Sequence, residues 1–223
     1  MAGIHPIEFD TESFEFERKF YVESLPQDLL KAAGCDVIVQ SYLFARDGYA
    51  VRIRITFTDE KLDFPRFDEA TDYRGAYERK LLSELMARAG SDREKVRAHI
   101  AVKSPTVGAQ RYEFEREIDL DVAVQILRRC DGVIVKNRFS TWIDEDGWQC
   151  DVFSGENAGL IVAEVERAVP VTNLKIPSFC VSEVSEDMRF TNDHLSIEPF
   201  ARWGAAFKAE LEVRGPHFMD LEG

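Results

Sequence analysis

The sequence predicts an α+β fold: an eight-stranded antiparallel β-barrel with a charged, polar interior and helices packed outside. Three observations indicate it: eight short segments with strand-like alternation, hairpin turns between several of them, and charged residues spaced i, i+2 within them. In a strand, that spacing places both side chains on one face. Eight antiparallel strands close naturally into a barrel just wide enough for one small ligand.

Turn residues separate the predicted strands. Asp47-Gly48 is a hairpin signal between the second and third strands, and Asp144-Glu145-Asp146-Gly147 is a turn between the sixth and seventh. The strands are predicted at about 14–22, 36–44, 49–57, 98–104, 110–118, 132–142, 147–153 and 159–168.

Four helices are predicted around these strands. Pro26 lies in the first turn of the first helix, and Gly34 ends it. The second has an apolar stripe of Tyr77, Leu81 and Leu85. The helices are predicted at about 25–33, 73–89, 119–130 and 197–212. We expect one domain over 1–223, with a helical insert at about 58–98 and a helical tail at about 197–223.

The charged pairs alternate in sign along the chain. The acidic pairs are Glu15/Glu17, Glu113/Glu115 and Glu164/Glu166, and the basic pairs are Arg52/Arg54 and Lys136/Arg138. A solvated strand face explains any single pair. The whole set is harder to explain in that way, because neighbouring like charges repel unless a metal ion or a phosphate lies between them. The pattern therefore favours a site that holds metal ions and a small polyanion together.

The composition limits the partners that the protein is expected to bind and the cellular compartment in which it is expected to work. The net charge of −13 predicts an acidic exterior that repels nucleic acid. No segment approaches the roughly 20 apolar residues that span a bilayer, and no secretory signal is recognisable. The four cysteines are scattered without CxxC spacing, which argues against a zinc site or a disulfide framework. We expect a cytoplasmic protein, monomeric or homodimeric, that binds no nucleic acid and no membrane.

Short motifs follow one another in a fixed order. They are ExExK at 15–19, QSY at 40–42, RxR at 52–54, a strand ending in Lys103, RxExE at 111–115, KxR at 136–138, DVFxG at 151–155, ExE at 164–166 and EVSEDMRFTN at 183–192. This series resembles the CYTH superfamily, the triphosphate tunnel metalloenzymes, and is closest to its short bacterial tripolyphosphatase-like members. Ser41, Phe139 and Phe190 depart from the usual Gly, Tyr and Tyr of these motifs.

The resemblance implies a divalent-metal-dependent triphosphatase that converts inorganic tripolyphosphate to pyrophosphate and phosphate. Thiamine triphosphatase and adenylate cyclase are alternatives on the same scaffold. A non-catalytic module that binds polyphosphate or nucleotides is an alternative from another class. The acidic pairs argue against that module, because simple anion binding needs the basic residues alone.

The resemblance also implies roles for individual residues. The phosphate-binding residues would be Lys19, Arg52, Arg54, Lys103, Arg111, Lys136 and Arg138. The ligands of two Mg²⁺ or Mn²⁺ ions would be Glu15, Glu17, Glu113, Glu115, Asp151, Glu164 and Glu166. Glu113 and Glu115 either bind metal or hold arginines in position. Lys136 and Tyr42 would be catalytic: Lys136 donates a proton to the leaving group, or lowers the pKa of a water with help from Tyr42. The alternative for Tyr42 is simple packing.

Overall fold

The fold of the chain is α+β, as predicted. A computed structural model describes residues 14–72, 75–90, 93–105 and 110–219. Within these residues there are nine antiparallel strands: β1 (Phe14–Val22), β2 (Gly34–Arg46), β3 (Tyr49–Phe57), β4 (Val96–Lys103), β5 (Gln110–Glu117), β6 (Ile134–Ile143), β7 (Asp146–Phe153), β8 (Ile161–Arg167) and β9 (Cys180–Glu183). The five α-helices are α1 (Gln27–Ala32), α2 (Ala76–Ala89), α3 (Leu120–Leu127), α4 (Asn192–Ile197) and α5 (Phe200–Arg214).

The strands form one sheet in the order β5-β4-β3-β2-β6-β7-β8-β1-β9. β1 also pairs with β5, through Phe14 with Tyr112, Glu15 with Arg111 and Phe16 with Gln110. The prediction of eight strands is wrong by one, because β9 was missed. β9 has only four residues and lies beside β1 at one end of the sheet order, so its alternation is too short to be a signal.

The tail helix predicted at about 197–212 is observed as α5, and the short helix α4 that precedes it was not predicted. α4 ends at Ile197 and α5 begins at Phe200, after Pro199. Proline has no N–H to donate and disfavours helical geometry in the residue before it, which explains the break. The second predicted helix is observed as α2, which begins after Gly75; residues 73 and 74 of the prediction lie outside the described residues.

Two helices cover one face of the sheet. Val37, Val39, Ile53 and Ile55 point to this apolar face and are fully buried, in one cluster with Leu81 and Leu85 of α2 and Leu127 of α3. The apolar stripe predicted for α2 is therefore its buried side. Two hydrogen bonds also fasten the preceding loop to β6: the Leu62 N–H donates to Asn137 Oδ1 (3.1 Å), and Asn137 Nδ2 donates to the Leu62 carbonyl (2.7 Å).

The opposite face of the sheet changes character along its length. One end carries the charged pairs. At the other end lie apolar residues on the same face of their strands, among them Tyr21, Ile134 and Val162, and they form a cluster with Phe190 and with α4 and α5. The charged residues therefore occupy one end of this face, and apolar residues occupy the other. Aromatic rings of α5 fill this end, and Tyr21 packs edge-on against Phe207 at 5.0 Å between ring centroids.

No helix among the described segments is long and apolar enough to cross a membrane.

A buried carboxyl group lies between α2 and the turn after β7. Glu78 of α2 is buried and its carboxylate lies against Gly155, where a side chain would collide with it. Gly155 also has a φ of +64°, which disfavours any residue with a Cβ. Burial raises the pKa of Glu78 from 4.5 to about 7, and the nearby Glu156 and Asp72 add to this effect.

We predict that Glu78 makes the free energy of unfolding pH-dependent. Between its unfolded and folded pKa values, 4.5 and about 7, the folded protein keeps a proton that the unfolded chain loses. The free energy of unfolding therefore falls as the pH rises through that window. Relative to the wild type, Glu78→Gln should gain up to about 3 kcal/mol at pH 8 and almost nothing at pH 4.

Urea unfolding at pH 4, 6 and 8 measures this difference. Glu84→Gln, on the exposed side of α2, is the matched control, and should change the free energy of unfolding by less than about 0.5 kcal/mol at every pH. Parallel curves for the wild type and Glu78→Gln would contradict the raised pKa.

Candidate active site

A small polar cavity lies at the charged end of the sheet. Its volume is about 250 Å³, slightly below the roughly 300 Å³ at which small-molecule sites usually begin, so it suits a compact ligand. Every strand from β1 to β8 and the start of α4 contribute to its wall. The lining residues are Glu17, Lys19, Tyr42, Arg52, Arg54, Lys103, Arg111, Glu113, Glu115, Arg138, Gln149, Glu164, Glu166, Thr191, Asn192 and Asp193.

The lining is balanced in charge, because it contains six carboxylates and six basic side chains, two of them lysines and four arginines. Twelve ionic groups around so small a space come from residues far apart in the sequence, and the strand pairing brings them together. On β1 and β8, for example, Glu17 lies directly opposite Glu166, and Lys19 lies directly opposite Glu164. The i, i+2 spacing seen in the sequence therefore does place these side chains on one face.

Glu164 joins two bases at the β1–β8 wall. Its Oε1 atom is 2.9 Å from Lys19 Nζ, and its Oε2 atom is 3.1 Å from Arg138 Nη2. Lys19 Nζ also lies 2.5 Å from Glu17 Oε1. Burial alone would raise the pKa of Glu164, but Lys19 and Arg138 outweigh it and hold that pKa well below its usual value. Glu164, Lys19 and Arg138 are therefore charged at neutral pH.

Lys136 and Asp151 lie behind the cavity wall and do not line it. Both side chains are fully buried and form an ion pair. Arg138, which lines the cavity, donates two hydrogen bonds to the same carboxylate, from Nε to Oδ1 (2.7 Å) and from Nη2 to Oδ2 (2.6 Å). Lys136 Nζ also donates to Asn192 Oδ1 at 3.2 Å. Both oxygens of Asp151 thus accept from bases, although the sequence predicts a metal ligand there.

The buried lysine is easier to deprotonate than an ordinary lysine. Burial lowers the pKa of Lys136 to about 8, and the positive charges of Arg138 and Arg54 lower it as well, while Asp151 opposes them. Burial alone would raise the pKa of Asp151, but Arg138 and Lys136 hold it below its usual value.

The acidic residues of β5 also contact bases. Glu113 Oε1 is 3.0 Å from Arg52 Nη2, and Glu115 Oε1 is 2.6 Å from the same nitrogen. Lys103 pairs with the second oxygen of Glu113. These contacts match the alternative in which Glu113 and Glu115 hold bases in position. Arg52 Nε is buried and has no hydrogen-bond partner within the described part of the chain.

Arg54 differs from Arg52 and Arg138, which both pair with carboxylates. It forms no ion pair with any described residue, and its Nε donates to the neutral Gln40 Oε1 at 3.2 Å. Burial lowers the pKa of Arg54 to about 10, and the nearby Arg52 and Arg138 contribute. A buried guanidinium among like charges is unfavourable unless an anion joins it.

Three predicted site residues remain: Arg111 and Tyr42, which line the cavity, and Glu15. Arg111 lines the cavity and donates to the carbonyls of Ser104 (2.7 Å) and Gly48 (3.2 Å). Tyr42 also lines the cavity, and burial raises its pKa. No hydrogen bond joins Tyr42 to Lys136 among the residues described: Lys136 lies opposite Ile38 on β2, four residues and about 13 Å along the strand from Tyr42. The side chain of Glu15 lies outside the described residues.

Five polar residues of the site were not predicted as site residues. Gln40 and Asn192 bind the side chains of Arg54 and Lys136; these two and Thr191, which lines the cavity, lie inside motifs that had been recognised in the sequence. Gln149 accepts from Arg138 Nη1, and Asp193 lines the cavity at the start of α4. Gln149 is uncharged and Asp193 has no charged residue two positions away, so the pattern of paired charges could not reveal them.

The donor set fits a hard divalent cation, although no group of three or more His, Cys, Asp or Glu side chains converges on one point within the described residues. Glu17 and Glu166 lie directly opposite each other on neighbouring strands, where like charges repel. Mg²⁺ typically takes one or two carboxylates and completes its shell with water and substrate phosphates. Two facing carboxylates beside a phosphate-sized cavity meet that requirement.

We predict that Glu166→Gln stabilises the metal-free protein and weakens its response to Mg²⁺. Relief of the repulsion between Glu17 and Glu166 is worth about 0.2–1 kcal/mol, or roughly 1–3 °C in melting temperature for a chain of this size. Saturating MgCl₂ should raise the melting temperature of the wild type more than that of the variant, since the variant has lost a ligand.

Differential scanning fluorimetry with and without EDTA measures both effects. Glu212→Gln, on the exposed surface of α5, removes the same charge elsewhere and should behave like the wild type. An unchanged Mg²⁺ response in Glu166→Gln would remove Glu166 from the metal site.

Known proteins similar to this chain share its fold and part of its sequence. An inorganic triphosphatase from Acetivibrio thermocellus is 34% identical over 106 residues, which are 47% of this chain and 68% of that protein. Two solved structures of NE1496, one described as a hypothetical protein and one as an inorganic triphosphatase, match 82% of this chain and 98% and 97% of theirs, with TM-scores of 0.51 and 0.50 at 21% and 20% identity. At that identity the structures support the fold alone. No family model matches the chain.

Proposed function

Because the chain belongs to the CYTH superfamily of triphosphate tunnel metalloenzymes, we propose that it hydrolyses inorganic tripolyphosphate to pyrophosphate and phosphate in a metal-dependent reaction. The observation that carries this proposal is Arg54. Its buried guanidinium borders the cavity, contacts a neutral glutamine and lies near two further arginines. A guanidinium group in this position can bind an anion with several oxygen atoms, and a phosphate chain is such an anion.

We propose that the sheet encloses this substrate as a tunnel. The three residue pairs between β1 and β5 support closure, because they join the first strand of the sheet order to the last but one. β1 to β8 would then form the wall, and β9 would lie outside it beside β1. The aromatic cluster with α4 and α5 would close the far end. The buried contacts of α2 and of the loop at Leu62 support a single domain that includes the insert.

The charge balance of the lining couples phosphate binding to metal binding. Because six carboxylates already neutralise six bases, a triphosphate that entered alone would bring about four uncompensated negative charges into a poorly hydrated space. Divalent cations that enter with it restore neutrality. In this exchange, Glu17 would turn from Lys19 to the metal, Glu166 would hold the same ion, and the freed base would bind a phosphate oxygen.

Mg²⁺ or Mn²⁺, as one or two ions, would supply charge neutralisation at the phosphates and position the attacking water. Glu17 and Glu166 are the ligands that their facing positions support best, and Glu15 and Glu164 are further candidates. Glu113 and Glu115 instead hold Arg52 and Lys103 towards the substrate. Asp151 holds Lys136 and Arg138.

Lys136 is the residue proposed to act at the bond that breaks. It lies directly behind the cavity wall, where its Nζ contacts Asn192, which lines the cavity, and Asp151, which also pairs with the lining residue Arg138. From there its ammonium group either donates a proton to the leaving phosphate or polarises the attacking water. Tyr42, which does not contact Lys136, is proposed to border the substrate and not to assist the lysine.

The cysteines support a reducing compartment such as the cytoplasm. Cys35, Cys130, Cys150 and Cys180 are all free, as is usual for proteins that work among reduced thiols.

The direct test is phosphate release from tripolyphosphate with Mg²⁺ or Mn²⁺. We expect release that EDTA abolishes and that Glu17→Gln lowers by at least about 100-fold, because both the metal and its ligand act on the transition state. Glu212→Gln is the control of equal charge. A protein that binds tripolyphosphate tightly without releasing phosphate would be the non-catalytic module instead.

Two substitutions separate substrate binding from chemistry. Lys136→Met should lower kcat by about 10²–10⁴-fold and change the dissociation constant little, because a proton donor acts in the transition state. Arg54→Met should weaken tripolyphosphate binding roughly 10- to 100-fold through the loss of a charge-assisted contact. Single-turnover kinetics and calorimetric titration measure the two quantities. The reverse pattern would exchange the roles of these residues.

A further inference from the structure

Arg54 has a neutral side-chain partner in a cavity where most basic residues have a carboxylate. Four basic residues of the lining each form an ion pair with a carboxylate: Lys19, Arg52, Lys103 and Arg138. At Arg54 the Nε atom donates instead to the amide oxygen of Gln40, at 3.2 Å. The amide is therefore the feature of the site that requires an explanation.

Gln40 lies beneath Arg54 and away from water. On β2 it is directly opposite Arg54 of β3 and Ile134 of β6. Its side chain is fully buried, and Ile134 belongs to the apolar cluster at the far end of the same face. Because water cannot reach this position, no solvent molecule can replace the glutamine as the acceptor for Arg54.

The contact with Arg54 fixes the direction of the amide. A guanidinium group only donates hydrogen bonds, so the oxygen of Gln40 must face it and the Nε2 atom must face away. That Nε2 atom is buried and has no hydrogen-bond partner within the described part of the chain. A buried donor without a partner lowers the stability of the folded protein.

A glutamate of nearly the same shape would suit this position better on grounds of stability. Its carboxylate would form an ion pair with Arg54 and would leave no unpaired donor. The nearby Arg52 and Arg138 add positive charge around Arg54, and Glu115, which opposes them, is already paired with Arg52 at 2.6 Å. Stability therefore does not explain why residue 40 is an amide.

The amide has a different consequence for the guanidinium group. It accepts from Nε and so fixes the direction of the side chain, but it does not neutralise the positive charge. No described residue accepts from the two Nη groups of Arg54. These groups form the fork that suits two oxygens of one phosphate group.

We propose that Gln40 is a positioning residue that holds Arg54 in place and leaves its charge and its two Nη groups for a phosphate group of the substrate. The proposal rests on the proposed function for the identity of this anion. It adds that substrate affinity depends on a neutral acceptor at residue 40, at the cost of stability in the ligand-free protein.

Calorimetric titration with Mg²⁺-tripolyphosphate tests the effect on binding. Gln40→Glu supplies the missing counter-charge and should weaken binding about 10- to 100-fold, as the loss of Arg54 itself does. Gln40→Met removes the acceptor without adding a charge and should weaken binding roughly 3- to 10-fold. Because neither change touches the bond that breaks, kcat at saturation should stay within about threefold of the wild type.

The matched control is Gln125→Glu. Gln125 lies on the exposed side of α3, where its Oε1 atom accepts from Arg129 Nη1 at 2.8 Å. The same substitution beside an arginine outside the site should leave the affinity for tripolyphosphate unchanged. Equal affinities in the wild type and Gln40→Glu would overturn the proposed role.

Melting temperatures separate this role from a packing defect and need no turnover. Gln40→Glu should raise the melting temperature of the ligand-free protein by roughly 2–6 °C, because it pairs a buried charge. It should also reduce the further rise that Mg²⁺-tripolyphosphate produces. A packing defect would lower the melting temperature of the ligand-free protein instead, and that result would contradict the proposal.

A double-mutant cycle shows whether Gln40 acts through Arg54. In an Arg54→Met background, Gln40→Met should change the dissociation constant for tripolyphosphate by less than about twofold, because the group that it positions is gone. Additive losses would overturn the proposal.

The positioning role and the proposed hydrolysis can fail separately. A wild type that binds tripolyphosphate without phosphate release contradicts the hydrolysis, while the dissociation constants still test Gln40. Normal hydrolysis with equal affinities in the wild type and Gln40→Glu overturns the role of Gln40 alone.

Discussion

The structure depends on one constraint: every charge buried at the polar cavity must find a counter-charge. Twelve ionic groups line a space of about 250 Å³, and in a poorly hydrated site an unpaired charge is costly. Glu164 bridges Lys19 and Arg138, and Asp151 bridges Lys136 and Arg138. Among the described residues, Arg54 has a neutral acceptor, Gln40, and Arg111 has two carbonyl acceptors, and neither forms an ion pair.

The same constraint explains where the apolar residues lie. One face of the sheet carries the charged residues, so the apolar residues of its strands lie on the opposite face. Helices α2 and α3 pack against that apolar face and bury it. At the far end of the charged face, where no ligand would compensate further charges, the strands carry apolar residues and α4 and α5 pack against them. Asn192 at the start of α4 links this end to the site through Lys136.

Paired charges also suit a function in which metal and phosphate arrive together. In the proposed exchange, each carboxylate that turned from a base to a cation would free that base for a phosphate oxygen, so the lining would exchange partners without a change in its own net charge.

The sequence by itself determined which residues share a face, because strand alternation is local: the pairs at 52/54 and 164/166 needed no tertiary information to be recognised. The order of motifs likewise determined the family. Tertiary structure alone decided which acid meets which base, since Glu113 contacts Arg52 across 61 positions of sequence and only strand register brings them together. It also placed Asp151 behind the cavity and separated Tyr42 from Lys136. Such relations depend on the pairing of distant strands, which no local pattern encodes.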